Sequence, residues 1–160
     1  MPIGTKSSKI NISKEIDTKL ISKKISSYLI NGDIIFLYGE IGVGKTTFVK
    51  YLINYLQKKN KEKETEVPSP TFNIVNEYLV KRQKIFHYDL YRIKDEKELN
   101  NIGLFEDRES SISLVEWPEV IKKKPSKIIE LYFNYEKNFN QRNLIICTEY
   151  RKEILNEFKK

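Results

Sequence analysis

The residues with the clearest chemical meaning lie at positions 39–46, where the sequence reads GEIGVGKT. They match the pattern G-x-x-x-x-G-K-[ST], with Gly39, Gly44, Lys45 and Thr46 at the fixed positions. Glycines let consecutive backbone N–H groups curl around phosphate oxygens, and the positive end of a following helix faces the same anion. In such a loop the lysine reaches the outer phosphates and the threonine hydroxyl binds Mg²⁺. The pattern therefore predicts a nucleoside triphosphate with Mg²⁺ as the ligand.

The segments on either side of this loop are the ones that its chemistry needs. Residues 34–38 form an unbroken apolar run, which is typical of a strand buried on both faces. Residues 45–58 carry apolar side chains at helical spacing. The pattern thus lies between a buried strand and an amphipathic helix, as a phosphate-binding turn requires.

Two carboxylates are candidates for the metal side of the site. Glu116 follows the mostly apolar residues 112–115, where a buried strand would emerge. Asp89 lies in the string HYDLYR, and strand alternation places His87, Asp89 and Tyr91 on one face. That face is either part of a polar site or an exposed side of a hairpin. Either acid could bind Mg²⁺ or orient an attacking water, and the sequence leaves this open. The N-K-x-D string that reads guanine is missing from the sequence, which disfavours GTP.

The rest of the chain shows helical and strand patterns in alternation. Ser13 is the expected N-cap of the first helix, and Gly103 is an expected helix C-cap. The apolar stripe of the first helix is expected to consist of Ile16, Leu20, Ile21, Tyr28 and Leu29. Strands are predicted at 10–12, 72–80, 84–90, 112–115, 127–135 and 143–150, and further helices at 13–29, 94–101 and 151–158. These patterns predict an α/β fold of the P-loop NTPase-like, three-layer type, with a mixed, mostly parallel central sheet and a β-hairpin insertion. We expect residues 1–160 to form a single domain.

Composition limits the class of protein further. The chain has 160 residues, and its longest apolar run, at 34–38, is far shorter than the roughly 20 residues of a membrane-spanning helix. One cysteine and one histidine exclude an internal disulfide and a zinc site built on several histidines. These features predict a soluble cytoplasmic protein. The net charge of +7 is compatible with a nucleic-acid partner, but the lack of alanine and the abundance of Ile, Lys and Asn indicate a compositional bias that raises lysine everywhere.

Four short strings, taken together, are similar to one known family. They are GEIGVGKTT at 39–47, SPTF at 69–72, HYDLYR at 87–92 and VEWPE at 115–119. In order and spacing they resemble the TsaE family, formerly YjeE, the bacterial ATPase subunit of the machinery that makes threonylcarbamoyladenosine on tRNA. The resemblance spans residues 10–119, and the last 40 residues show only general strand and helix patterns. The phosphate loop is shared by many proteins, whereas the other three strings together are far more specific.

The resemblance implies a role for each matching residue. Lys45, Asp89 and Glu116 would be the catalytic residues, and Thr46, Glu116 and Asp89 would face Mg²⁺. The expected nucleotide contacts are Gly39, Glu40, Ile41, Gly42, Val43, Gly44, Lys45, Thr46 and Thr47 of the loop, Thr71 from a switch-like segment, Trp117 beside the nucleotide, and Thr18 near the adenine. The motif positions His87, Tyr91 and Arg92 receive no assigned role.

The resemblance also implies a function. Members of the family look like ATP-driven accessory subunits that dock on the TsaD–TsaB heterodimer near the tRNA site and reset it by ATP hydrolysis. They do not themselves transfer the threonylcarbamoyl group. The modified base is the adenosine 3′ of the anticodon in tRNAs that read codons beginning with A. Because no arginine finger is evident in the sequence, we expect slow hydrolysis until a partner completes the site.

Two other functions are compatible with parts of the sequence. A small-molecule or nucleoside kinase would use the same phosphate loop, but such kinases usually carry several arginines in a lid, and the five arginines here are scattered. A direct RNA-binding module could use the three lysines at 122–124, but no recognisable RNA-recognition motif accompanies them.

Overall fold

A seven-stranded sheet forms the centre of the computed structural model, which describes residues 5–159. Its strands are β1 (Ile10–Asn11), β2 (Ile34–Tyr38), β3 (Val75–Val80), β4 (Gln83–Asp89), β5 (Ser111–Glu116), β6 (Ile128–Tyr135) and β7 (Arg142–Thr148). The α-helices of the described residues are α1 (Glu15–Ser26), α2 (Lys45–Lys59) and α3 (Lys152–Asn156), and the 3₁₀ helices are Glu96–Ile102, Arg108–Ser110 and Pro118–Val120.

The strands are ordered β1-β7-β6-β2-β5-β4-β3 across the sheet. The four central strands, β6, β2, β5 and β4, are parallel, while β1, β7 and β3 pair antiparallel at the two sides. The predicted α/β fold with a mixed, centrally parallel sheet is therefore confirmed. The β3–β4 hairpin forms one edge of this sheet. No helix within residues 5–159 is long and apolar enough to cross a membrane.

Strand β2 is buried on both of its faces, as its unbroken apolar run predicts. Ile35 and Leu37 belong to the core on one face of the sheet, where the three α-helices pack. Ile34 and Phe36 belong to the core on the other face. That second face is covered by loops and 3₁₀ turns, which supply Leu90, Ile93, Leu99 and Ile121. The molecule thus has three layers, one of which contains no α-helix among the described residues.

One helix predicted from the sequence lies in this third layer and differs from the prediction. The helix predicted at 94–101 is a 3₁₀ helix at Glu96–Ile102, which begins after Asp95. The Asp95 side chain accepts a hydrogen bond from the backbone N–H of Lys97 at 2.9 Å. Gly103 follows with a φ of +63° and is the predicted C-cap of this helix.

The start of α1 also differs from the prediction. The helix covers Glu15–Ser26, so it begins after Lys14 and is shorter than the predicted 13–29. Ser13 is not the N-cap, because its hydroxyl accepts a hydrogen bond from the backbone N–H of Arg142 at 3.0 Å. The serine therefore ties the chain before α1 to strand β7.

The apolar stripe predicted on α1 is wrong at two positions. Ile16 and Leu20 are each 53% exposed. The buried face instead comprises Thr18, Ile21, Ser22, Ile25 and Ser26. Small hydroxyl residues suit this face because α1 packs closely on α2, and the Ser22 hydroxyl contacts the carbonyl oxygen of Phe48 at 3.3 Å.

A buried ion pair fixes the end of the chain to the sheet. A guanidinium nitrogen of Arg151 lies 2.9 Å from Oδ2 of Asp33, which is 2% exposed. Asp33 also accepts hydrogen bonds from the Tyr150 hydroxyl and from the backbone N–H of Ile30. Burial, together with the hydrogen bond to Asp33, raises the pKa of Tyr150 to about 12.

We expect Arg151→Met to lower the free energy of unfolding by about 2 kcal/mol, because it leaves a buried carboxylate with two neutral donors only. Urea denaturation measures this change. The matched control is Arg82→Met at an exposed arginine, for which we expect a change of at most about 0.5 kcal/mol. Equal effects of the two substitutions would contradict the assignment of the ion pair.

Candidate active site

Glycine backbone conformations shape the loop at residues 39–46. Gly39 has a φ of +146°, and a Cβ at this position would lie 2.7 Å from the carbonyl oxygen of Phe133. Gly44, with a φ of +118°, is the N-cap position of α2. The loop therefore ends where the first amides of a helix lack partners within that helix. It has the backbone form that a phosphate-binding turn requires.

Lys45 is held between this loop and an indole ring. Its side chain is 5% exposed, and its ammonium donates to the carbonyl oxygens of Gly39 and Glu40, at 3.0 Å for Glu40. The ammonium also lies 4.0 Å from the centre of the Trp117 ring, which makes a cation–π contact. Burial lowers the pKa of Lys45, and nearby carboxylates, Glu116 foremost, act in the opposite direction.

Strand register brings the two candidate acids to the same edge of the sheet as the loop. Asp89 and Glu116 are paired residues at the carboxyl ends of the parallel strands β4 and β5. Strand β5 also pairs with β2, where Leu37 lies opposite Glu116 and the loop begins two residues later. Ligand sites of open α/β sheets form at this edge. Both carboxylates are buried, with exposed fractions of 4% and 3%.

Glu116 makes two hydrogen bonds through a single oxygen. Its Oε1 accepts from the Thr46 hydroxyl at 2.8 Å and lies 2.8 Å from Nε2 of His87. The structure thus brings together Thr46 and Glu116, two of the three residues expected on the metal side. His87 is fully buried, so the alternative of an exposed hairpin face is wrong for it and for Asp89.

Asp89 contacts a different segment of the chain. Its Oδ2 accepts from the hydroxyls of Ser69, at 2.7 Å, and Thr71, at 3.2 Å. Its Oδ1 accepts from the backbone N–H of Tyr91 at 3.0 Å. The proline-flanked segment that contains Ser69 and Thr71 is therefore tied directly to one of the two acids.

Two aromatic rings complete this side of the site. The rings of Tyr91 and Trp117 have centroids 4.9 Å apart, and Tyr91 is 50% exposed. Trp117 has a left-handed backbone, with a φ of +56°, and is followed by Pro118. This turn directs the chain away from β5 immediately after Glu116.

These residues line one pocket of about 390 Å³. Ten of the residues that line the pocket were predicted from the sequence as site residues, namely Ile41, Gly42, Gly44, Lys45, Thr46, Thr47, Thr71, Asp89, Glu116 and Trp117. The other lining residues are Ser69, Tyr91 and Arg142. Residues that lie far apart in the sequence thus meet here.

Four predicted nucleotide contacts lie outside the lining of this pocket. Gly39, Glu40 and Val43 belong to the loop itself, and Val43 is buried in the core beneath it. Thr18 is 6% exposed on the face of α1 that packs against α2, and the structure does not bring it to the pocket. Its contact with adenine stays a prediction from the resemblance.

Three lining residues were not among the contacts expected from the sequence: Tyr91, a motif position without an assigned role, and also Ser69 and Arg142. Ser69 stands in the SPTF string, beside Thr71, and that string is the signal that could have identified it. Arg142 is 99 positions from Val43, yet its guanidinium donates to the carbonyl oxygen of Val43 at 3.4 Å and to that of Ser13 at 3.2 Å. No sequence pattern around Arg142 indicates this contact.

The donor set at the metal side consists of oxygens. Among residues 5–159 no group of three His, Cys, Asp or Glu side chains could hold a metal ion. Mg²⁺ is typically bound by one or two carboxylates together with phosphate oxygens and water. The Thr46 hydroxyl and the carboxylates of Glu116 and Asp89 suit this hard cation in the presence of a bound phosphate chain.

Fold and site together define the class of protein: an α/β protein in which a glycine-rich turn of phosphate-loop type faces two carboxylates across one pocket. The family model described as "Threonylcarbamoyl adenosine biosynthesis protein TsaE" matches residues 12–144. The chain belongs to the TsaE family.

Individual relatives agree with this assignment. The tRNA threonylcarbamoyladenosine biosynthesis protein TsaE of Aquifex aeolicus is 40% identical over 74% of this chain and 80% of its own length. The protein of that name from Rickettsia bellii is 36% identical over 75% and 81%, respectively. The Rickettsia conorii protein is 37% identical over 69% of this chain, but the match spans only 61% of that relative.

A solved structure has the same fold. The crystal structure of YdiB from Bacillus subtilis superposes with a TM-score of 0.70 and covers 94% of this chain and 91% of its own. Its sequence is 24% identical, so this likeness concerns the fold.

We expect Gly39→Ala to destabilise the protein more than Gly32→Ala does, by at least about 1 kcal/mol. Both glycines have positive φ angles, so both substitutions strain the backbone. Only at Gly39 would the new methyl group also collide with backbone, since the nearest atom at Gly32 is 4.0 Å away. Urea denaturation of both variants measures the difference. Equal losses would show that the enclosure of Gly39 has no energetic consequence.

Proposed function

We propose that this protein binds ATP with Mg²⁺ and hydrolyses it slowly, as an accessory subunit of the machinery that makes threonylcarbamoyladenosine on tRNA. The observation that carries the proposal is the convergence of Lys45, Thr46, Asp89 and Glu116 on one pocket. Membership in a family named for this biosynthesis supports the tRNA context. We also propose that the protein docks on a TsaD–TsaB complex and that it acts in the cytoplasm.

The phosphate chain of ATP would lie against the glycine-rich loop and the first amides of α2. These backbone N–H groups and the positive end of the helix attract the phosphate oxygens. Lys45 contacts the carbonyl oxygens of Gly39 and Glu40, and on binding it would exchange them for the outer phosphates. Its ammonium then stabilises the charge that grows on the transferred phosphoryl group.

The two acids have different neighbours, and we therefore assign them different roles. Glu116 shares a hydrogen bond with the Thr46 hydroxyl, so these two residues would hold Mg²⁺. Mg²⁺ supplies charge neutralisation on the phosphate oxygens when it is bound. Asp89 is tied to Ser69 and Thr71 and would orient the attacking water toward the γ-phosphate.

Dependence on a partner follows from what surrounds the pocket. Arg142 is the arginine that lines it, and its guanidinium is engaged with backbone carbonyls rather than free to stabilise the transferred group. Near the pocket, Ile41 is 69% exposed and Phe72 is 86% exposed. A partner that covers these side chains would exclude water and supply the missing positive charge. Turnover by the protein alone is therefore expected to be slow.

The first test is phosphate release from ATP, with and without the TsaD and TsaB proteins. We expect strong stimulation by these partners, no comparable turnover of GTP, and a loss of about 100-fold or more in Lys45→Ala. Lys50→Ala, at an exposed lysine on the same helix, is the matched control and should retain the stimulated rate. Turnover that needs a small hydroxylated acceptor instead of the partners would indicate a kinase and would refute the proposal.

The second test separates the two acids. We expect Asp89→Asn to lower kcat about 100-fold while the Kd for MgATP changes only a few-fold, because the water loses its orientation. We expect Glu116→Gln to raise the Mg²⁺ concentration needed for binding without weakening Mg²⁺-free ATP. Trp117 is the single tryptophan and lines the pocket, so its fluorescence reports binding. Identical profiles for the two variants would contradict the separate roles.

A further inference from the structure

The single histidine of the chain touches one of the site's two acids without reaching the pocket. His87 is 0% exposed and is absent from the residues that line the pocket. Its Nε2 lies 2.8 Å from Oε1 of Glu116, the oxygen that also accepts the Thr46 hydroxyl. His87 lies on β4 and Glu116 on the adjacent parallel strand β5, so the contact is part of the sheet.

The hydrogen-bond pattern determines which ring nitrogen carries the hydrogen. A carboxylate oxygen accepts hydrogen bonds, so Nε2 must donate to Glu116. Nδ1 is buried and makes no hydrogen bond with any residue among 5–159. A hydrogen on Nδ1 would therefore have no acceptor there, whereas a hydrogen on Nε2 has one at good distance.

Packing alone does not account for a histidine at this position. A buried imidazole with an unpaired nitrogen costs free energy that an apolar side chain of similar size would avoid. The compensation found in the structure is the bond to Glu116. His87 therefore forms a hydrogen bond with the Glu116 carboxylate in addition to packing in the core.

We infer that His87 is a positioning residue, which donates Nε2–H to Glu116 and holds its carboxylate against Thr46. Two donors occupy Oε1, so Oε2 is the oxygen of Glu116 that is left for the pocket. The histidine acts only through Glu116 and has no contact with the reacting atoms. Partners of this kind fix the orientation of groups that bind metals, and their loss typically reduces metal affinity or activity about 10- to 100-fold.

The first arm of the test is an NMR spectrum of the imidazole nitrogens in the full chain without nucleotide. Because the chain has one histidine, the spectrum contains one set of ring signals. We expect the hydrogen on Nε2, protected from exchange with solvent. A ring with a hydrogen on Nδ1 and none on Nε2 would overturn the inference. This arm does not depend on any activity of the protein.

The second arm compares His87→Gln with His87→Leu. The glutamine amide can donate to Glu116, whereas leucine fills the space without a donor. We expect His87→Leu to lower kcat about 10- to 100-fold and to raise the Mg²⁺ concentration needed for the Trp117 fluorescence change with ATP. Binding of Mg²⁺-free ATP should be unchanged, and His87→Gln should stay within a few-fold of the original protein.

Equal behaviour of the two variants, or a His87→Leu variant that behaves like the original protein, would refute the positioning role. Thermal unfolding of both variants shows whether a loss reflects folding. If His87→Leu does not fold, His87→Asn takes its place, since its shorter amide ends one carbon further from Glu116. This second arm rests on the proposed function, so failure of the original protein to bind or hydrolyse ATP would count against that function. The NMR spectrum tests the hydrogen bond of His87 independently of it.

Discussion

Parallel pairing of β2, β5 and β4 is the constraint on which the site depends. Because parallel strands end at the same edge, the register that sets Leu37 and Asp89 on either side of Glu116 brings three distant parts of the chain together. The loop that follows β2 then faces both acids with no further adjustment. A slip of one residue in β4 or β5 would turn one of the carboxylates to the opposite face of the sheet.

Charge balance in the pocket explains why each acid has its own set of donors. Two buried carboxylates and one buried ammonium leave an excess of negative charge, and burial of unpaired charge is costly. Hydroxyl groups and the imidazole partly offset this cost at Asp89 and Glu116. The remaining imbalance suits a divalent cation, which would arrive with a phosphate chain that also engages Lys45. The oxygen donors and the net charge of the pocket thus both support the proposed ligand, ATP with Mg²⁺.

Local patterns allowed the sequence to predict most of the scaffold. The apolar run of β2, the glycine-rich turn and the strand that ends at Glu116 each have a signature within a few residues, and each lies where it was expected. Errors occurred where a distant partner decides the outcome. Ser13 bonds to β7 instead of capping α1, and the buried face of α1 is set by its packing on α2.

The two acids of the site have a local signature in the sequence, whereas Arg142 has none. Asp89 and Glu116 stand at strand ends, a position that sequence spacing can identify. Arg142 reaches the loop because β7 lies beside β6, which in turn pairs with β2, and no local pattern encodes that neighbourhood. Predicting it would have required the strand order, which local sequence patterns do not give.

Two residues with a strained backbone adjoin the two acids. Ile74 and Trp117 have φ angles of +67° and +56°, which are unfavourable for large side chains. The carbonyl oxygen of Ile74 accepts the backbone N–H of Asp89 at 2.8 Å, and Trp117 directly follows Glu116. Such conformations persist only where surrounding contacts over-determine them. Here the backbone hydrogen bonds of Ile74 with Pro70 and Asp89, and the contacts of the Trp117 ring with Tyr91 and the Lys45 ammonium, surround these residues. Each strained residue is therefore held where it adjoins one of the two acids.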